Sequence, residues 1–85
     1  MKIRMHRGGL TESMETEEEL QSWNDLENFC EQHDIDINSI KCEHYSGADE
    51  RIGWVDTWII LARFKNDPEE DVVPVAFSDG NIKDL

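Results

Sequence analysis

Eighty-five residues, 38% of them hydrophobic and including three Trp and three Phe, suffice for one compact domain, because a chain of this size buries about 60% of its unfolded surface. Twenty acidic residues against eight basic ones give a formal net charge of −12, a field that repels phosphate backbones and anionic lipid, so neither direct nucleic-acid binding nor a membrane partner is expected. No apolar run approaches the roughly 20 residues of a membrane span, and the start MKIRMHRGG turns polar too soon for a secretory leader, which predicts a cytoplasmic protein.

Lys2, Arg4 and His6 alternate with Ile3 and Met5, the pattern of a strand with one buried face. Gly8 and Gly9 permit a bulge or turn, after which residues 10–14 resume an extended pattern, as one bent strand or as a hairpin. Thr16 followed three residues later by Glu19 is a capping-box pattern and predicts a helix from there to about His33. Leu20, Trp23, Leu26, Phe29 and Cys30 form its apolar stripe, and Glu17, Glu18 and Glu19 suit the positive end of the helix dipole.

Ile35 and Ile37 are placed to pin a connecting segment to the core, and residues 39–46 alternate as a second strand before a polar turn over residues 47–53. The strongest strand signal covers residues 54–65. Trp54, Trp58, Ile60, Ala62 and Phe64 share one face and Val55, Thr57, Ile59 and Leu61 the other, as in a central strand. Residues 66–71 carry turn chemistry, and residues 72–77 return as a strand in which Pro74, lacking a backbone donor, requires an edge position or a bulge. Residues 82–85 are left to pair back or fray. The expected fold is α+β: a single domain over residues 1–85, with a largely antiparallel three- to five-stranded sheet and one amphipathic helix packed on one face. Trp23, Leu26, Phe29, Trp58, Ile60 and Leu61 are expected to be buried together.

Cys30 and Cys42 lack the paired spacing of a structural zinc site and read as reduced packing thiols, with a disulfide across the core as the alternative. His6, His33 and His44 are scattered, and Cys42 with His44 on one strand face would supply only two ligands. No phosphate-cradling glycine loop, helical zinc motif or nucleophile elbow occurs, so no catalytic residue, metal ligand or cofactor is expected and the chain reads as a non-enzyme. Trp54 and Trp58 read as core, or else one of them stays exposed beside Arg51 and Asp56 as an aromatic anchor for a protein partner.

The segments His6-Arg7-Gly8-Gly9-Leu10 with Glu12-Ser13, Arg51-Ile52-Gly53-Trp54 with Asp56-Thr57, and Phe77-Ser78-Asp79-Gly80 resemble a family of small uncharacterised bacteriophage and prophage proteins. Its members begin with an HRGGL-ES-type segment and carry a RIGWDT-type segment followed by a GF-DG turn. The likeness runs nearly end to end, with Val55 inserted between Trp54 and Asp56, where a bulge would accommodate it. It implies a phage setting, and hence the host cell cytoplasm, but no activity. A more limited likeness is to the phage inhibitors of uracil-DNA glycosylase, acidic proteins that mimic DNA. Glu12-Ser13-Met14, His44-Tyr45 with Asp49-Glu50, and Ser78-Asp79-Gly80-Asn81-Ile82-Lys83 are similar to segments of those inhibitors.

That likeness implies an inhibitory protein whose carboxylates stand in for phosphates in the basic groove of a host DNA-processing enzyme. Glu12, Glu15, Glu17, Glu18, Asp49 and Glu50 are the contact acids it points to. The alternative is a phage accessory or structural protein associating through an apolar sheet face or the edge of residues 72–77, a homodimer included.

Overall fold

The alternation at the start of the chain forms the expected strand, β1 (Lys2–Met5), with Ile3 and Met5 buried and Lys2 and Arg4 on the other face. The computed structural model describes residues 1–5, 17–50, 53–67 and 71–85. Among them follow β2 (Glu18–Glu19), α1 (Trp23–Gln32), β3 (Ile35–Asp49), β4 (Gly53–Phe64), β5 (Val73–Ser78) and a closing 3₁₀ turn, Ile82–Asp84. The expected extended stretch at residues 10–14 and the cap at Thr16 lie outside the described residues.

The fold is α+β: five strands in the order β2-β1-β5-β4-β3, every neighbouring pair antiparallel, with the single helix against one face. Strands β2 and β3 therefore lie at opposite edges. Four strand spacings of about 4.8 Å separate them by roughly 19 Å. A ten-residue helix is about 15 Å long, so α1 with its flanking residues carries the chain across the sheet from one edge to the other.

The helix starts later than the capping-box pattern predicts. Glu18 and Glu19 lie opposite Ile3 and Lys2 in the β1–β2 ladder, and the Lys2 ammonium sits 3.8 Å from Glu17, so cross-strand pairing of opposite charges holds this acidic run extended. Ser22 is the actual N-cap. Its hydroxyl accepts from the Asp25 amide at 3.4 Å, and the Asp25 carboxylate accepts the Gln21 amide at 2.8 Å. Trp23 consequently occupies the first helical position and is 42% exposed, while Leu26, Phe29 and Cys30 face the sheet. Asp34 closes the helix with a left-handed φ of 57°, and its carbonyl accepts the Lys65 amide at 2.7 Å, tying the helix end to the end of β4.

The core joins Leu26, Phe29 and Cys30 to Ile3, Met5, Ile35, Ile60, Ala62, Val75 and Ala76, with Leu20 and Ile82 closing its ends. Ile35 and Ile37, expected in a connection, belong to β3. The ladder to β4 shifts register between Asp36 and Lys41, which moves the inward phase of β3 from Ile35 and Ile37 to Ile40 and Cys42. Ser39 stitches that bulge: its hydroxyl donates to the Asp36 carbonyl at 2.7 Å and accepts the Arg63 amide at 2.8 Å.

Pro74 is accommodated by the second of its two expected solutions. Strand β5 is interior, between β1 and β4, and its register shifts so that Ile60 faces Ala76 while Leu61 faces Pro74. The extra residue, Val75, is buried together with Ala76. Of residues 72–77, Ala76 and Phe77 have β1 on one side and β4 on the other, while Val73 and Pro74 pair with β4. No bulge accommodates Val55, which pairs with Gly47 in a ladder that is unbroken from Lys41 and Leu61 to Asp49 and Gly53.

Of the six residues expected to be buried together, Leu26, Phe29 and Ile60 are. Trp58 and Leu61 are half-buried, the latter because it points to the helix-free face beside Lys41 and Pro74. Residues 82–85 neither pair back nor fray, since Asn81 caps the 3₁₀ turn through its side chain and Ile82 is buried.

Candidate functional site

The β4–β5 ladder ends at Trp58 and Ser78, whereas the β3–β4 ladder continues to Asp49 and Gly53. Among the described residues, 45–49 and 53–57 therefore have only each other as strand neighbours and form a two-stranded ribbon projecting past the β4–β5 ladder. Ribbons of this kind are marginal alone and depend on cross-strand contacts. At the root, His44 packs on Trp58 with ring centroids 4.9 Å apart, and its Nε2 lies 2.5 Å from Asp56 Oδ1. The Thr57 hydroxyl donates to the Ser78 carbonyl at 3.1 Å, anchoring the ribbon to the last residue of β5. Farther out, the Tyr45 ring leans over Gly47, where a Cβ would meet the phenolic oxygen at 3.0 Å. Gly53 starts β4 with φ +82°, a conformation that favours glycine.

Trp54, on the same face as Trp58 but beyond the helix, is 71% exposed, and Tyr45 on the opposite face is 41% exposed. The ribbon also carries exposed Glu50 and Asp56, with exposed Glu43 and Lys41 just inside it on β3. Of the two readings of the paired tryptophans, Trp54 takes the exposed one.

The acids singled out by sequence do not form one cluster. Glu17 and Glu18 lie at the β2 edge, Asp49 and Glu50 at the end of β3 on the opposite edge, and Glu12 and Glu15 lie outside the described residues. Sequence reasoning missed the ribbon as a unit, because it placed residues 47–53 in a turn. The signal was present in the alternation of Trp54, Asp56 and Trp58 against Val55 and Thr57, but the length of the partnering strand decides where a ribbon outruns its sheet.

On the helix-free face a cleft of about 250 Å³ lies between β1 and the ribbon root, lined by Lys2, Arg4, Glu17, Asp56, Thr57 and Asp79 among others. The Arg4 guanidinium lies 4.8 Å from the centroid of the Phe77 ring, which is buried beneath it. The two hydroxyls beside the cleft both donate to carbonyls, Thr57 to Ser78 and Ser78 to Gly80. Neither is aimed at a base.

Cys30 and Cys42 are both free thiols. Burial pushes the Cys30 thiol up to about 11 and also raises that of Cys42, so both favour the unreactive protonated form near neutral pH. Among the described residues no three His, Cys, Asp or Glu side chains gather as a metal site, and no helix is long and apolar enough to cross a membrane.

No family model, curated protein or solved structure matches the chain.

Proposed function

We propose that this chain is a non-enzymatic acidic binding protein that docks its projecting ribbon on the basic surface of a protein partner. The observation that carries this reading is Trp54, a large aromatic 71% exposed on a two-stranded arm between Glu50 and Asp56, in a chain of net charge −12. Exposed aromatics of this size are the usual anchors of protein interfaces, while surrounding charge of one sign steers encounter with a partner of the other. In its finer form the reading is a phage-type DNA mimic. The partner is then a host DNA-processing enzyme, and the resemblance of the His44-Tyr45 and Asp49-Glu50 segments to the uracil-DNA glycosylase inhibitors favours that choice.

The test is displacement of labelled duplex DNA from a panel of purified basic DNA-processing enzymes, a uracil-DNA glycosylase among them. Displacement should weaken steeply between low and physiological salt, and Trp54→Ala should weaken it by about 30-fold, the loss of a 2 kcal/mol anchor. No displacement from any member of the panel would defeat the mimicry form. A second reading draws on Val55, Ile59 and Leu61, which stand half-buried on the helix-free face. Self-association through that face would persist at high salt, which separates it from the first.

A further inference from the structure

We infer that the outer edge of β3, over residues 41–49, is a strand-addition site for an extended basic segment of the partner. The inference rests on the acidic binding reading above and supplies its geometry. Strand β3 closes the sheet on one side, and at 15 residues it is its longest strand. Among the described residues, 41–49 pair with β4 on one side only, and no strand and no backbone hydrogen bond from another segment satisfies the other side.

Long free edges are ordinarily guarded by proline, by a bulge or by repeated lysine. In β3 the bulge lies between Asp36 and Lys41, before this stretch, which holds no proline and a single lysine, Lys41. Gly47 and Ala48 present little side chain to an approaching backbone. Exposed Tyr45 on one face, and Trp54 one strand away on the other, flank the position an added strand would take. Added strands gain affinity from main-chain hydrogen bonds and selectivity from alternate side chains.

Charge selects the occupant. Glu43, Glu50 and Asp56 are exposed along the edge and the ribbon, against Lys41 as the one described lysine or arginine there, with His44 beside Asp56. A second copy would bring another net charge of −12 to the same edge, whereas lysine or arginine at alternate positions of a foreign strand meets these acids.

The probe is a capped eight-residue peptide alternating lysine and valine, with a glutamate–valine peptide as its counterpart, each titrated into the full chain while amide exchange is followed by NMR. The expected result is binding of the lysine peptide with new protection at alternate amides within residues 41–49, those directed away from β4. Methylating the nitrogens of the valines alone leaves the peptide one intact edge and should change affinity by no more than about threefold. Methylating every nitrogen should weaken it by about tenfold or more, the loss of a few backbone hydrogen bonds. Salt-sensitive lysine-peptide binding that ignores methylation, or protection appearing elsewhere, overturns the strand-addition site and leaves the acidic reading standing. Equal binding of the glutamate peptide, or no binding of either, overturns both.

Discussion

The two halves of β4 share one backbone and one composition of aromatic and β-branched residues, yet they live in different environments. From Trp58 to Phe64 the strand has β5 on one side, β3 on the other and α1 beneath, and Ile60 and Ala62 are buried to 1% and 0% exposure. From Gly53 to Thr57 it has, among the described residues, β3 alone, and Trp54 stands in solvent. A tryptophan is buried by its neighbours and not by its own hydrophobicity. The inner half is where stability resides, and the outer half is free to serve recognition.

The sharpest way to break that comparison is truncation in each half of the molecule. Leu26→Ala, which empties a fully buried position between α1 and the sheet, should cost about 2–5 kcal/mol in denaturant unfolding. Trp54→Ala should cost within about 0.5 kcal/mol, as for other exposed sites, while weakening partner binding by about 30-fold. Comparable losses at the two positions would mean that the ribbon is structurally part of the body.

Gly53→Ala tests the ribbon from the backbone side. A Cβ there would meet nothing within 4 Å, so the whole cost is the left-handed φ, about 1–2 kcal/mol. Amide exchange should show the loss concentrated in residues 45–57, and uniform loosening of the sheet would contradict a separable arm.

Ser22→Ala removes the N-cap of α1 and should destabilise the body by about 1 kcal/mol, read from the denaturation midpoint. No effect there would place the start of the helix back toward the acidic run.

The smallest effect is expected from pH. Because burial raises the Cys30 thiol from 9.0 to about 11, the unfolded chain loses this proton first. Its contribution is complete below about pH 9 and disappears as pH rises through about 11, so the unfolding midpoint should fall across that window. Cys30→Ala should flatten this part of the slope, and an unchanged slope would show that the thiol does not contribute to it.

Much of the body was readable from pattern. The alternation in residues 2–5, the apolar spacing of Leu26, Phe29 and Cys30, and the double-sided apolar run of β4 each follow from local periodicity, and they suffice for an α+β fold with one helix on a sheet. Pro74 likewise announced its own exception, because a missing donor has only two remedies within a sheet. The start of α1 was not readable that way. Two capping patterns, Thr16 with Glu19 and Ser22 with Asp25, compete within ten residues, and the pairing of Glu18 and Glu19 with Ile3 and Lys2 selects the second. The candidate site is the clearest case of tertiary decision. Sequence placed Trp54 and Trp58 on one face, but exposure of the first and partial burial of the second depend on β5 ending at Ser78, a contact made between residues 20 positions apart. Periodicity fixes which way a side chain points along its own strand. What it meets there is settled by where the neighbouring strands end.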